Sequence, residues 1–201
     1  MTREVLEFCY RNRLSHLSSV LSAYPIIEEI YAGMAEGEKF VLSQGHAAAA
    51  LYLVLAGGDA NRADALVAKH GVHPHRDLGD GIHCSTGSLG MGITVALGMA
   101  MAGRTVHCLI SDGECAEGSV WEALRLAREY CKGRLKVYVN HNGMTALGAV
   151  DNSLAARLIA FLPSVQMCYS SPVNLPFTRG LEAHYHVITD AEWEAYAQTL
   201  R

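Results

Sequence analysis

Two short apolar segments, each followed by a polar turn, constrain the fold of this chain most strongly. Residues 106–110 and 135–139 have the length and composition of buried strands. The dipeptide Asp112-Gly113 follows the first segment, Asn142-Gly143 follows the second, and helical periodicity runs through residues 121–130 between them. A strand, a helix and a strand in succession predict two neighbouring parallel strands that end at the same edge of a sheet.

The remaining sequence continues the alternation of helical and strand patterns. Further helices are predicted at residues 5–10, 20–31, 47–55, 61–70, 90–101 and 154–161, and further strands at residues 40–42 and 165–169. A last helix is predicted with Asp190 as its N-cap and Trp193 packing inward. Residues 71–88 lack periodicity and are predicted to form a long loop, which in compact domains usually has a function. The chain is therefore predicted to form one α/β domain over residues 1–201, with a doubly wound, mainly parallel sheet and helices on both faces.

Composition argues against several classes of function. The net charge of −4 argues against a nucleic-acid partner, because proteins that bind nucleic acids present basic surfaces. The longest nearly apolar run, residues 89–103, is broken by glycines and is too short to span a bilayer, and no signal peptide opens the chain. The six cysteines contain no CxxC pair, which predicts free thiols in a reducing cytoplasm rather than a disulfide framework.

Asp112 and Asn142 are the first candidates for a functional site. Ligands of parallel α/β sheets bind beyond the carboxyl ends of strands, where both residues are predicted to lie. A carboxylate, a carboxamide oxygen and the carbonyl of Met144 are hard oxygen ligands, suited to a Mg²⁺ ion that also holds phosphate oxygens. Asp-Gly and Asn-Gly are also common turn signals, so the two dipeptides alone leave a plain pair of turns open.

Three longer motifs include or flank these residues. Residues 112–123 read DGECAEGSVWEA, residues 86–92 read TGSLGMG and residues 40–47 read FVLSQGHA. In order and spacing they resemble thiamine-diphosphate enzymes, and among these the transketolase family. The resemblance covers roughly residues 10–195 and implies the thiamine-diphosphate-binding fold, with thiamine diphosphate and Mg²⁺ as cofactors.

The resemblance also implies which positions contact the cofactors. The implied ligands of Mg²⁺ are Asp112, Asn142 and the Met144 carbonyl, and the implied diphosphate contacts are Gly113 and Glu114. Gly87 and Leu89 would contact the rest of the cofactor, with Leu89 packing against the aminopyrimidine. Glu117 would join an acidic hydrogen-bond network between two cofactor sites across a dimer.

Four histidines match residues that line the substrate channel in the family, namely His16, His46, His73 and His184. Imidazole titrates near neutrality and can donate or accept a proton on a sugar hydroxyl. His46 and His73 lie in matching motifs, whereas the sequence around His16 lacks the glycine and proline that usually flank this histidine. His184 matches only by its position before the last helix, so His186 is an alternative. For any one histidine taken alone, a structural or surface position stays open.

The chain resembles only the first of the three domains that full-length members of the family carry. The pyrimidine domain, which supplies the activating glutamate and most groups that bind the substrate phosphate, is absent from residues 1–201. The resemblance therefore implies the N-terminal subunit of a split enzyme, with a separate pyrimidine-domain subunit in an α2β2 assembly. The sequence differs from the family's pattern in two further ways: a strand-helix unit is missing after Phe161, and Ser111 replaces the usual glycine of a Gly-Asp-Gly motif.

The implied activity is the transfer of a two-carbon ketol unit from a ketose donor to an aldehyde acceptor, with sugar phosphates as substrates. One alternative is a related enzyme subunit that forms acyloins or 1-deoxy sugars, and residues 86–92 favour the transketolase over it. The other alternative is a non-catalytic relative that scaffolds or regulates a partner. The presence of Asp112, Asn142 and Glu117 favours an enzyme over a scaffold, because the resemblance implies that these residues serve the cofactor sites.

Overall fold

Four parallel strands form the central sheet in the computed structural model, which describes residues 2–145, 148–170 and 182–197 and, at Glu182, only the backbone. The strands of this sheet are β1 (Lys39–Leu42), β2 (Val106–Ser111), β3 (Leu135–His141) and β6 (Gln166–Tyr169). They lie side by side in that order, and each neighbouring pair is parallel. Two short strands that were not predicted, β4 (Met144–Thr145) and β5 (Gly148–Ala149), form an antiparallel pair after β3.

Helices connect and cover the strands. Those described are α1 (Thr2–Arg11), α2 (Leu17–Gly33), α3 (Ala48–Ala56), α4 (Ala60–His70), α5 (Met91–Met101), α6 (Gly118–Tyr130), α7 (Leu154–Phe161) and α8 (Asp190–Ala197). Each predicted helix and strand is found within a few residues of its predicted bounds, which confirms the α/β class. In the described part of the chain, no helix combines the length and the apolar character that crossing a membrane requires.

The sheet separates two apolar cores, which explains why its strands are apolar on both faces. Phe40, Leu42 and Leu109 point to the side covered by α1 to α4. Val41 and Ile110, at alternate positions on the same strands, point to the side covered by α5, α6 and α7. β2 is buried along its whole length, as is typical of the inner strands of a parallel sheet, whereas Lys136 and Tyr138 of β3 are half-buried. The predicted arrangement of helices on both faces is confirmed.

The start of α8 lies one residue away from its predicted cap. Thr189, rather than Asp190, is the capping residue: its hydroxyl accepts a hydrogen bond from the Glu192 backbone N–H at 3.3 Å. The Glu192 carboxylate accepts in return from the Thr189 backbone N–H at 2.8 Å, which completes a capping box. The Asp190 carboxylate instead accepts a hydrogen bond from the Tyr10 hydroxyl at 3.0 Å. Trp193 stacks on Tyr10 with ring centroids 4.9 Å apart, so its predicted inward packing is confirmed.

The start of α5 packs against the end of β1 closely enough to require glycine. A Cβ on Gly92 would lie 2.5 Å from Ser43 Cα, whereas a Cβ on Gly98, in the same helix, would meet no described atom within 4 Å. We expect Gly92→Ala to lower the free energy of unfolding by at least about 1 kcal/mol, because backbone must shift to make room. We expect Gly98→Ala to raise it by up to about 1 kcal/mol, because alanine forms helix better than glycine.

Urea unfolding of the two variants measures this difference within one helix. The two substitutions add the same methyl group to the same element, so each serves as the control for the other. Equal changes in the unfolding free energy would contradict the close approach at Gly92.

Candidate active site

The carboxyl edge of the sheet brings the predicted site residues to one side of the molecule. Because β1, β2 and β3 are parallel, the segments that follow them leave the sheet at the same edge. His46 lies in the first of these segments, Asp112 in the second and Asn142 in the third. The Asp112 backbone N–H donates to the Asn140 carbonyl at 3.1 Å, which joins the tips of β2 and β3.

Asp112 is a buried carboxylate whose partners among the described residues are backbone N–H groups and His141. Only 2% of the residue is exposed. Its Oδ1 accepts from the Gly113 N–H at 2.9 Å and its Oδ2 from the Gly143 N–H at 2.8 Å. Among the described residues no lysine or arginine pairs with it, and the basic side chain beside it is His141, whose Nδ1 lies 3.5 Å from Oδ2. Burial raises the pKa of the Asp112 carboxyl, so a divalent cation at this position would stabilise its ionised form.

Asn142 and Met144 form the second half of this turn region. The Asn142 Oδ1 accepts from the Met144 N–H at 3.0 Å, and Gly143 between them has φ +83°, which glycine adopts without strain. Met144 begins β4 and is 45% exposed. A carboxylate, a carboxamide oxygen and nearby backbone carbonyls are a donor set that suits Mg²⁺, and the residues present therefore fit a metal-bound diphosphate.

Glu114 links the Asp112 turn to two other predicted motifs. Its Oε1 accepts from the Ser43 hydroxyl at 2.6 Å and from the Gly90 N–H at 2.9 Å, and its Oε2 accepts from the Ser111 N–H at 3.0 Å. Burial raises the pKa of the Glu114 carboxyl, while these hydrogen bonds lower it. These hydrogen bonds hold the Glu114 side chain inside the protein. The predicted diphosphate contact would therefore be made by the backbone of the Gly113-Glu114 turn.

The loop before α5 approaches the end of β1 closely. A Cβ on Gly45 would lie between 2.6 and 2.8 Å from backbone atoms of Thr86 and Gly87, so only glycine fits there. Thr86 Oγ1 and Gln44 Nε2 are buried and have no hydrogen-bond partner among the described residues. Because unpartnered buried polar atoms are rare, they indicate a place where a ligand completes the hydrogen bonding. Leu89, half-buried, follows in the same loop.

Three of the four predicted histidines have their rings close together. The ring centroids lie 4.3 Å apart for His16 and His184, 5.5 Å for His16 and His46, and 6.0 Å for His46 and His184. The His16 backbone N–H donates to the His184 carbonyl at 3.1 Å. His16 has φ +61°, a left-handed conformation that is uncommon outside glycine. Strained backbone of this kind persists where the surrounding structure demands it, often at functional sites.

His73 reaches the same group from the long loop. A Cβ on Gly87 would lie 3.3 Å from His73 Cδ2, so the His73 ring lies against the Gly87 backbone. His73 also contributes to lowering the pKa of both His16 and His46 by its charge. We call His16, His46, His73 and His184 the histidine cluster.

The choice between His184 and His186 is decided by their contacts. The His184 ring packs edge-on against the His16 ring. His186 is engaged with α8, since its Nε2 lies 2.9 Å from the Glu192 carboxylate. The structure thus places His184, and not His186, in the histidine cluster.

Burial keeps the rings of His16, His46 and His184 uncharged near neutral pH. Burial, reinforced by the neighbouring histidines, lowers the pKa of His46 to about 3 and that of His16 to about 4. Burial also lowers the pKa of His184. A neutral imidazole offers one N–H donor and one acceptor nitrogen, so each of these rings can exchange hydrogen bonds and protons with hydroxyl groups.

Glu117 lies at the surface beside Gly90, and its backbone N–H donates to the Glu114 carbonyl at 2.9 Å. Glu117 is exposed, and a Cβ added to Gly90 would lie 2.9 Å from the Glu117 Cβ. Ser119, two residues later, donates its hydroxyl hydrogen to the Gly90 carbonyl at 3.1 Å, which holds this turn against the loop before α5. Its exposure leaves Glu117 accessible to a second chain.

Sequence reasoning did not identify several residues that the structure places at the site. His141 lies beside Asp112, and its position next to Asn142 could have indicated it. The Tyr185 ring lies 4.8 Å from that of His184 and 5.8 Å from that of His16. Below the strand tips, the Asn140 amide donates to Ser22 at 2.8 Å and to Gln44 at 3.4 Å, a buried network that no local pattern indicates.

A protein-family profile matches the part of the chain that contains most of these residues. The profile of a family described as "Transketolase, thiamine diphosphate binding domain" matches residues 29–161. The matched region includes β1, β2, β3, the Asp112 turn and Asn142, as well as His46 and His73.

Individual relatives and solved structures are similar to the chain over part of their own length. An apulose-4-phosphate transketolase subunit of Phocaeicola vulgatus is 27% identical over 175 residues, which cover 76% of this chain and 62% of that protein. The transketolase of Homo sapiens is 41% identical over 109 residues, or 46% of this chain and 17% of that protein. The transketolase structure from Leishmania mexicana superposes with a TM-score of 0.64 at 21% identity, covering 80% of this chain and 31% of that chain. The chain therefore shares the fold and spans only part of these proteins.

Proposed function

This chain belongs to the transketolase family, and we propose that it is the N-terminal subunit of a split enzyme that transfers a two-carbon ketol unit from a ketose donor to an aldehyde acceptor. The observation that carries the proposal is the histidine cluster at the carboxyl edge of the sheet. This cluster is linked to the Asp112 turn, because His46 and Ser43 lie in the same segment and the Ser43 hydroxyl donates to Glu114. Neutral acid-base groups thus accompany a turn that fits a metal-bound diphosphate.

A separate subunit would complete the active site. We assign residues 1–201 to a single thiamine-diphosphate-binding domain and the pyrimidine domain to another chain, in an α2β2 assembly in the cytoplasm. The chain spans 62% of the Phocaeicola vulgatus relative, which is itself named as one subunit of a transketolase, but 17% of the human transketolase. The naming of that relative as a subunit supports the split arrangement. The exposed Glu117 fits a contact with the second chain.

The cofactors would be held by the two turns at the tips of β2 and β3. Asp112, Asn142 and the Met144 carbonyl would bind Mg²⁺, and the backbone at Gly113 and Glu114 would lie along the diphosphate. Gly87 and Leu89, on the loop before α5, would border the rest of the cofactor. When bound, thiamine diphosphate supplies the stabilisation of negative charge at a carbonyl carbon as its carbon–carbon bond breaks.

The histidine cluster would act on the hydroxyl groups of the sugar. Neutral His46 can accept a hydroxyl proton at its free ring nitrogen and donate from its N–H group to a developing alkoxide, and neutral His16 can do one of the two through Nε2. The Ser15 hydroxyl lies 2.9 Å from His16 Nδ1 and orients that ring. His73 and His184 enclose the same space from the long loop and from the segment before α8. Sugar phosphates are the proposed substrates, with the phosphate bound mainly by the partner subunit.

Reconstitution with a pyrimidine-domain subunit tests the proposal. We expect ketol transfer between a ketose phosphate and an aldehyde acceptor only when both chains, thiamine diphosphate and Mg²⁺ are present, measured by a coupled assay of the released aldose. Full turnover by this chain alone would contradict the split arrangement. A partner complex that binds without any transfer activity would favour the scaffold instead.

A further inference from the structure

A second pocket lies at the opposite edge of the sheet from the candidate active site. Its volume is about 720 Å³, and its cationic lining consists of Lys39, Arg76 and Arg104. Lys39 begins β1 and Arg104 precedes β2, whereas the candidate active site follows the ends of these strands. Val95 and Met99 of α5 supply an apolar wall.

The three cations of this pocket are not neutralised by nearby acids. The lining includes no aspartate or glutamate, and none of the three cations has an ion-pair partner within the described residues. Acids that neighbour them in sequence are engaged elsewhere. Asp77 and Asp80 both bind the Lys69 ammonium, at 2.6 and 2.7 Å, and Glu38 pairs with Lys136 at 3.0 Å and with His107 at 2.7 Å.

His83 adds a polar atom that has no partner. Its Nδ1 is buried and makes no hydrogen bond within the described part of the chain. Burial and the positive charges of Lys39, Arg104 and Arg76 lower the pKa of His83, while a hydrogen bond with the Phe40 backbone raises it. A neutral ring with a free acceptor nitrogen can bind a hydroxyl group.

Backbone hydrogen bonds fix the segments that carry these side chains. Asp77 and Ile82 exchange two hydrogen bonds of 2.9 and 2.8 Å, which close the loop between Arg76 and His83. The Arg76 N–H donates to the Ser85 hydroxyl at 2.7 Å. On the other wall, the Lys39 N–H donates to the Thr105 carbonyl and the Arg104 N–H to the Met99 carbonyl. The pocket is therefore held in shape before a ligand binds.

We propose that this pocket binds a small organic phosphate that carries a hydroxyl group, at a site separate from the thiamine diphosphate site. Arginine side chains bind phosphate oxygens through paired N–H groups, and Lys39 adds a third positive charge. His83 Nδ1 accepts from the ligand hydroxyl, and the apolar wall covers its carbon atoms. The volume lies in the range of small-molecule sites, and the net charge of −4 disfavours a nucleic acid as the ligand.

Binding of inorganic phosphate and of glycerol 3-phosphate tests this site, in the presence of EDTA and without thiamine diphosphate. NMR titration of the full chain should show saturable shifts of the His83 ring resonances and of the Ser85 backbone amide resonance with both probes, and the amide resonance also reports on the variant without His83. Glycerol 3-phosphate should bind several-fold more tightly than inorganic phosphate, and His83→Phe should remove that advantage. The double variant Arg76→Ala/Arg104→Ala should weaken the binding of both probes by at least about tenfold, and Lys39→Gln should weaken it by less.

A matched double variant separates a built site from general charge attraction. Arg3 and Arg62 are exposed arginines on α1 and α4, so Arg3→Ala/Arg62→Ala removes the same charge elsewhere and should change the affinity less than twofold. Equal losses in the two double variants would overturn the proposal, as would the absence of saturation. Loss of binding in Asp112→Ala but not in Arg76→Ala/Arg104→Ala would instead place the phosphate in the thiamine diphosphate site.

Discussion

Asp112→Asn is expected to abolish the Mg²⁺-dependent stabilisation that thiamine diphosphate would give to the proposed complex of this chain with a partner subunit. The Asp112 carboxylate is buried and is contacted by backbone N–H groups and His141. Its negative charge would therefore attract a divalent ion to the turn. At a cofactor concentration of about 100 times Kd, the lost stabilisation is about 2.7 kcal/mol. Thermal unfolding with and without cofactor and Mg²⁺ measures it.

Asp59→Asn is a suitable control for this substitution. Asp59 caps α4, where its Oδ1 accepts from two backbone N–H groups, and asparagine is an equally good N-cap. Asp59→Asn should leave the cofactor-dependent shift unchanged. Because the asparagine amide nitrogen at position 112 cannot accept one of the present hydrogen bonds, Asp112→Asn also lowers the stability of the cofactor-free protein by about 1–3 kcal/mol. A retained cofactor-dependent shift in Asp112→Asn would remove this residue from the metal site.

The regular elements were predictable because their signals are local. The apolar periodicity of residues 154–161 corresponds to α7 (Leu154–Phe161), and the apolar run at residues 106–110 corresponds to most of β2. Such patterns depend on which face of one element is buried, and a single segment of sequence contains that information. The parallel sheet follows from the alternation of these elements along the chain.

The details that sequence analysis missed depend on contacts between distant segments. The β4–β5 pair is formed by strands of two residues each, too short for any periodicity to appear. The capping role of Thr189 competes with that of Asp190, and the competition is decided by Arg13 and Tyr10, which both donate to the Asp190 carboxylate. Met91 and Val95 of the apolar helix α5 are 50% and 42% exposed, because the described residues cover only one side of this helix.

The candidate site shows the same division between local motifs and distant contacts. The motifs around Asp112, Gly87 and His46 were readable in sequence, and the fold brings their strand ends to one edge. The preference for His184 over His186 rests on contacts with His16, near the opposite end of the chain, and with Glu192 on α8. No local pattern contains these contacts, so the roles of the site residues stay predictions that the variants test.

His46→Gln is expected to make the stability of the chain less sensitive to acid. Burial and the neighbouring histidines lower the pKa of His46 to about 3, well below its usual value near 6.5. Below that usual value the unfolded chain binds a proton that the folded chain excludes, so His46 destabilises the fold as the pH falls from 6.5 towards 3. Its share of the slope is about 1.4 kcal/mol per pH unit, or about 3 kcal/mol between pH 6 and pH 4. Urea unfolding at pH 6, 5 and 4 measures the change.

His75→Gln is the matched control, because His75 is an exposed histidine on the same long loop as His73. It should leave the pH dependence of the unfolding free energy close to that of the unsubstituted chain. A residual slope should persist in His46→Gln, since burial also lowers the pKa of His16, to about 4. Identical pH dependence in His46→Gln and the unsubstituted chain would show that His46 is already protonated in the folded state at pH 4. Burial would then not hold the His46 ring neutral, and its acid-base role would rest on an ordinary imidazole that titrates near 6.5.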